Sequence, residues 1–163
     1  MTRAVLRADR LLHHEGARYR VTVGKGGVRP HKTEGDGATP AGVLPLRRVL
    51  YRADRLKRPL SVIPVMPLAP HDGWCDDRDD KQYNRPVRLP YPARHETLWR
   101  DDEIYDVIAV LGWNDAPPRR GEGSAIFLHV ARTDFAPTEG CLALSRKDLL
   151  EALAAGLTEI DVA

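Results

Sequence analysis

Arg18-Tyr-Arg-Val-Thr-Val23 alternates polar and apolar positions with the two-residue period of a half-buried strand. Val43–Tyr51, Ser61–Met66, Ile104–Leu111 and Ala125–Ala131 have the β-branched and apolar content of further strands, and Pro45 and Pro64 point to edges or bulges. Within Ala125–Ala131, Ile126, Leu128 and Val130 share one face while Phe127 and His129 share the other, so the histidine points away from the more aliphatic side. A helical period occurs near the end: Ser145-Arg-Lys-Asp148 reads as a capping signal, and Leu149, Leu150, Leu153 and Leu157 fall on one face that should pack on a sheet. Thr158–Val162 predicts a short closing strand. The glycine-rich stretch from Gly24 to Gly42 predicts turns and a hairpin. It has neither the Gly-Lys-Ser/Thr of a phosphate loop nor the third glycine of a dinucleotide fingerprint. Residues 67–103, rich in Pro, Asp, Arg and Tyr, predict a long excursion over one face, and structureless segments of that length are usually functional or disordered. The expectation is a mostly β fold (all-β to α+β), a β-sandwich or open barrel with one packed C-terminal helix. It forms one domain over residues 1–163, with no repeat or linker.

Composition narrows the function more than the fold. At 163 residues the chain can bury a sizeable core without disulfides, and 42% apolar with 29% charged residues is ordinary for a soluble globular protein. Its 25 basic and 23 acidic residues are interspersed and leave a net charge of +2, which excludes a dedicated nucleic-acid binder with a strongly basic face. No apolar run approaches the length of a transmembrane segment. Met1–Arg20 carries Arg3, Arg7, Arg10 and Glu15 and no apolar run of signal-peptide length. None of these features sets an oligomeric state.

The candidate chemistry lies toward the C-terminus. Ser124-Ala-Ile-Phe-Leu-His129 is followed, twelve residues after the histidine, by Cys141 within Thr138-Glu-Gly-Cys-Leu142. A cysteine attacks as thiolate, and with an ordinary thiol pKa near 8.5 it needs a base or a positive field beside it. If the two segments form neighbouring strands, the His129 imidazole reaches the Cys141 sulfur. The alternative is a buried structural thiol and an unrelated strand histidine, because a Cys/His couple is weak without a family signature. Gly140 permits a close backbone approach, and the N–H groups of Gly140 and Cys141 are candidate oxyanion donors. Cys75 is the poorer nucleophile, since Asp72, Asp76 and Asp77 beside it in sequence disfavour a thiolate. A Cys75–Cys141 disulfide would block the better one. Asp76-Asp-Arg-Asp-Asp80 lacks the glycine and closing glutamate of a calcium loop, and no Cys/His grouping has zinc spacing. The site calls for no metal and no cofactor.

His129, Thr138, Gly140 and Cys141 match the pattern of a histidine followed by Ser/Thr-His-Gly-Cys, and Gly35-Asp-Gly-Ala-Thr39-Pro40-Ala-Gly42 matches a Thr-Pro-x-Gly hairpin. In these features the chain resembles the L,D-transpeptidase catalytic domain (YkuD-like) family. Tyr83-Asn84-Arg85-Pro86, Gly112-Trp113-Asn114 and Gly123–His129 resemble its short single-domain subgroup, and the likeness is strongest over residues 20–155. Two positions depart from the family: Glu139 replaces the usual histidine before Gly-Cys, and Ala143 replaces the usual Arg or Asn. The resemblance implies Cys141 as nucleophile and His129 as general base and then acid, oriented by a backbone carbonyl rather than a buried aspartate. It implies peptidoglycan stem peptides as donor and acceptor, and a periplasmic or cell-wall location. It also implies acylation by carbapenems. Arg85, Arg88 and Arg132 would clamp stem carboxylates, and Glu139 would pair with the diaminopimelate amine. Tyr83 and Trp113 would supply cleft walls, with Asn84, Asn114 and Thr138 as further contacts. The product would be a 3-3 crosslink or an L-Ala–diaminopimelate 1-3 crosslink. The same site using water would be a carboxypeptidase or endopeptidase, and an inactive wall-binding module is the distant alternative.

Overall fold

A computed structural model describes residues 1–163. Fourteen strands and one helix follow in chain order: β1 (Thr2–Leu6), β2 (Leu11–His14), β3 (Ala17–Arg20), β4 (Val28–Arg29), β5 (Thr39–Pro40), β6 (Gly42–Tyr51), β7 (Val65–Pro67), β8 (Asp72–Cys75), β9 (Pro86–Arg88), β10 (His95–Thr97), β11 (Val107–Leu111), β12 (Phe127–Val130), β13 (Leu142–Leu144), α1 (Arg146–Ala154) and β14 (Leu157–Val162).

One sheet dominates, in the order β13-β12-β11-β6-β14-β1-β2-β3, with β7 also paired to β6. Beyond β3 the chain reaches Thr22, whose N–H and C=O both bond Ala143 of β13 at 3.0 Å. The two ends of the sheet therefore meet, and the sheet curls into a nearly closed barrel. Alternate residues of each strand face inward, as the strand period requires. Leu44 and Leu46, Val107 and Ala109, Ile126 and Leu128, and Leu142 and Leu144 form one core, which α1 joins through Leu149, Ala152 and Leu153. Each fully buried leucine of this set contributes roughly 1.5–3 kcal/mol. Ser145 caps α1 by accepting the Asp148 N–H at 3.1 Å, as its sequence indicates.

A second, smaller core forms on the outer face of β11 and β12, where Ile108, Val110 and Phe127 meet Trp74, Leu98 and Tyr105. The covering layer is the 67–103 excursion. It is not structureless: β10, β8 and β9 pair as a three-stranded sheet. These strands are three or four residues long, too short to register as a period in the sequence. Other boundaries also differ from expectation. The 61–66 strand starts only at Val65, because Pro64 lacks an N–H and Ile63 N–H folds back onto Ser61 Oγ at 3.0 Å. The 104–111 strand starts at Val107, after a turn in which Asp106 N–H bonds the Glu103 carbonyl. Leu157 belongs to β14 rather than to the helical face, since α1 stops at Ala154 and Gly156 turns the chain at φ 92°. Pro45 does sit beside a bulge: the β11–β6 register slips between Val110 and Leu111, which face Arg48 and Leu46.

Candidate active site

The parallel pairing of β12 with β13 sets the site. Leu128 pairs with Leu142 and His129 with Ala143, so Cys141 lies beside Phe127, just before the first pair. Phe127 and His129 share the outer face of β12, and Cys141 and Ala143 share the matching face of the neighbouring segment. Cys141 and His129 are thus diagonal neighbours on one face. The Cys141 thiol donates to the Ala125 carbonyl at 3.2 Å and its sulfur accepts from Phe127 N–H at 3.3 Å. No hydrogen bond joins it to His129 in this resting arrangement. The imidazole Nδ1 lies 3.0 Å from the Val130 carbonyl, so Nδ1 carries the proton and Nε2 keeps its lone pair. A backbone carbonyl is therefore the orienting partner. The Tyr105 ring packs edge-on against the imidazole at 5.3 Å.

Burial decides the resting charges. It pushes the Cys141 thiol up to about 12, with the Glu96 carboxylate adding to the rise and the Phe127 N–H and Lys32 opposing it. It pushes His129 down to about 4, against the Val130 carbonyl, which favours the cation. At neutral pH the couple is a thiol beside a neutral imidazole. A thiol in that state acts as a nucleophile only if a base takes its proton during attack.

The turn that carries Cys141 is held from several sides. Thr138 Oγ1 donates to the Cys141 carbonyl at 2.6 Å and accepts the Gly140 N–H at 3.1 Å. That leaves the Cys141 N–H, without a partner in the chain, as the free member of the two expected oxyanion donors. Thr39 of β5, which pairs parallel with β4 instead of closing the expected hairpin, donates to the Gly140 carbonyl at 2.8 Å. Gly140 has φ 146°, and a Cβ there would lie 2.9 Å from the Ala38 carbonyl oxygen, so the position admits only glycine without a shift. Lys32, its side chain only 3% exposed, pairs with Asp36 at 2.8 Å and packs against Gly140 and Gly123.

Asn84 supports the other side of the thiol. Its Oδ1 accepts from Trp74 Nε1 and Ala125 N–H, both at 3.0 Å. Its Nδ2 donates to the Trp113 and Asn114 carbonyls, at 3.0 and 2.7 Å. Ala125 has φ 53°, rare for a residue with a side chain, and its carbonyl is the one that receives the thiol. Asn84→Ala strips partners from four buried or half-buried groups. It is expected to lower stability by about 2–4 kcal/mol, read from urea denaturation. A loss under about 0.5 kcal/mol would show that these bonds do not hold the site.

Cys141 and His129 open onto a cavity of about 490 Å³. Thr138, Glu139, Gly140, Ala143 and Arg132 also line it. Glu139 points outward, its side chain 83% exposed and paired with Lys25 at 2.9 Å. Arg132 lies 3.6 Å from Asp102, which also binds Arg100. Tyr83, Asn84, Arg85, Trp113 and Asn114 are not part of this lining. Tyr83 is buried, donating to Glu34 at 2.7 Å and accepting from Gly123 N–H at 2.9 Å. Asn114 organises the 112–123 loop by bonding the Arg119 and Gly123 carbonyls, each at 2.9 Å. Asn84, Arg85 and Trp113 line a separate cavity of about 240 Å³ with Arg47 and Arg48, and Arg88 is exposed on β9. Cys75 is free, like Cys141, but fully buried, and burial raises its thiol. The cavity lining also holds Glu34, Glu96, Arg100 and Tyr105, which no sequence pattern singled out, and Asp76, which the sequence marked only as a neighbour of Cys75. All except Glu34 lie on or beside the excursion, where no period marks which side chains turn inward.

A thiol and a neutral imidazole on one wall of a cavity, with an unpaired backbone N–H beside the sulfur, are equipment for thiol-based acyl transfer. The model of the YkuD family, the L,D-transpeptidase catalytic domain, matches residues 4–158, and the chain belongs to that family. No curated protein and no solved structure matches the chain. Membership makes it an L,D-transpeptidase-type peptidoglycan enzyme at the level of the family. No helix is long and apolar enough to cross a membrane.

Proposed function

We propose that the chain is one catalytic domain, a peptidoglycan L,D-transpeptidase that works through a thioester on Cys141 at the cell wall. The observation that carries this reading is the shared face of Cys141 and His129 at the cavity. In acylation, His129 Nε2 takes the thiol proton as sulfur attacks an amide carbonyl that follows an L-centre of the donor stem. The developing oxyanion faces the Cys141 N–H. The imidazolium then protonates the departing amine and the thioester remains. The side-chain amine of diaminopimelate in an acceptor stem attacks that thioester, forming the crosslink and releasing the thiol.

Carbapenems, which present a strained amide, would acylate the same sulfur. Arg100 and Arg132 supply cations for a stem carboxylate on the His129 side. Ala143 leaves the cavity wall beside the thiol without the long polar side chain usual in the family. That difference bears on how deep the donor sits, and so on whether the bond cut follows diaminopimelate at position three or L-Ala at position one.

Incubation of pure protein with peptidoglycan stems, followed by tandem mass spectrometry of the products, tests the proposal. Crosslinked dimers are expected. A donor half retaining three residues marks a 3-3 bond, and one retaining a single residue marks a 1-3 bond. Shortened stems without dimers would replace the transpeptidase by a hydrolase. Unchanged stems would leave only a binding module.

A further inference from the structure

Transfer to an amine releases one proton more than His129 can carry. The diaminopimelate amine arrives at neutral pH as an ammonium, because alkyl amines titrate near 10.4. It loses one proton to become a nucleophile and a second as the amide forms. His129 has one vacant position, Nε2, since its Nδ1 proton is held on the Val130 carbonyl. That position takes one proton and returns it to the departing sulfur. The other proton needs a second acceptor inside the cavity.

Four carboxylates line that cavity: Glu34, Asp76, Glu96 and Glu139. Glu139 is turned to solvent and paired with Lys25 at 2.9 Å. Asp76 is engaged by Arg94 at 3.2 Å. Glu34 Oε1 already accepts the hydroxyls of Tyr83 and Ser124, at 2.7 and 2.6 Å. Glu96 has no cation partner and accepts a single hydrogen bond, from the Tyr105 hydroxyl. The Tyr105 ring packs against both His129 and Phe127, so Glu96 stands one side chain away from the base.

We propose that Glu96 receives the ammonium of the acceptor stem and takes its first proton. The proposal rests on the transpeptidase reading above. In the step, R–NH3⁺ and the Glu96 carboxylate become R–NH2 and the Glu96 carboxylic acid. The amine attacks the thioester carbonyl, its second proton passes to His129 Nε2, and the C–S bond breaks as the imidazolium protonates sulfur. Glu96 then releases its proton to water. Hydrolysis needs no such second acceptor, because water delivers only one proton to His129.

Two further observations fit. The Glu96 charge adds to burial in raising the Cys141 thiol, so it hinders the acylation half, and a role in the other half explains its presence there. Burial also raises Glu96 itself above the ordinary carboxylate range, toward working pH, where a general base is most effective.

Glu96→Gln tests this, because it keeps an oxygen for the Tyr105 hydroxyl and removes the charge. Wild type and variant are acylated with one stem-peptide thioester donor. The ratio of transfer (to a diaminopimelate-containing acceptor) to hydrolysis is then measured from pH 6 to pH 10. That ratio belongs to the acyl-enzyme alone, so the folded fraction does not enter. At neutral pH it is expected to fall about tenfold or more in Glu96→Gln, and the gap should close toward pH 10, where the amine sheds its own proton. Glu96→Asp should recover part of the loss. An unchanged ratio, a loss that does not vary with pH, or a Glu96→Gln protein that cannot be acylated would each overturn the assignment. A wild-type protein that is not acylated would sink the transpeptidase reading itself, and this proposal with it.

Discussion

Cys141→Ala is expected to abolish turnover while leaving the fold intact. The sulfur is the reacting atom of the proposed thioester, and no other group in the cavity can replace it. Removing the nucleophile from such a site lowers turnover by on the order of 10⁴-fold or more. The structural cost is small by comparison. The thiol satisfies the Phe127 N–H and the Ala125 carbonyl, and losing one such partner costs about 1–3 kcal/mol. Cys75→Ala is the matched control. Cys75 has no exposed surface, against 8% for Cys141, and it does not line the cavity. Turnover of stem peptides, measured beside thermal unfolding, separates the two cysteines. Activity surviving in Cys141→Ala above about one per cent of wild type would remove the nucleophile assignment.

His129→Gln is expected to slow thioester formation by about 10²–10⁴-fold, the usual worth of a positioned base. The effect should be large here because the thiol, held up at about 12, carries almost no thiolate at neutral pH without a proton acceptor. The same substitution has a signature in stability that does not depend on catalysis. His129 titrates at about 4 in the fold, below the ordinary imidazole value of 6.5. A depressed pKa means that the unfolded chain binds the proton first as pH falls. The stability is therefore present in full above about pH 6.5 and is lost progressively toward pH 4. The shift corresponds to about 3 kcal/mol. Urea midpoints measured across that range should fall more steeply for wild type than for His129→Gln. Parallel acid limbs would show that the imidazole is not buried as described.

The barrel was legible in the chain wherever an apolar-rich run reached five or more residues. β6 and β11 announce themselves by apolar content, β11 as an unbroken apolar run because both of its faces enter cores, and the opposed faces of Ile126 and His129 follow from the period alone. Ser145 marks the start of α1 by its capping chemistry. Where packing overrides local pattern, the sequence was mute. The short strands β8, β9 and β10 exist because Trp74 and Leu98 are buried against Phe127 and its neighbours, a long-range event without local period. The site divides in the same way. Cys141, His129, Gly140 and Thr138 sit in one contiguous motif around two paired strands. Asn84 was also singled out, but it lies outside the cavity as a support of Ala125, and Tyr83 and Asn114 are likewise built into loops. Glu96 is set by the pairing of β10 with β8, opposite Trp74, while Arg100 and Tyr105 lie on a 100–106 segment that Arg52 and Arg55 tie down. Arg52 donates to the Arg100 carbonyl at 2.7 Å, and Arg55 pairs with Asp106 at 2.7 Å. No feature of residues 95–106 read alone reports that tie.

The covalent intermediate is the most direct test of cysteine acyl transfer. Pure protein mixed with a carbapenem at saturating concentration is analysed by intact mass, and the modified peptide is then located by proteolysis and fragmentation. One adduct of the full drug mass is expected, on the peptide that contains Cys141. It should be absent in Cys141→Ala and strongly slowed in His129→Gln. An adduct on Cys75, or an unmodified protein at saturation, would contradict the thioester at Cys141.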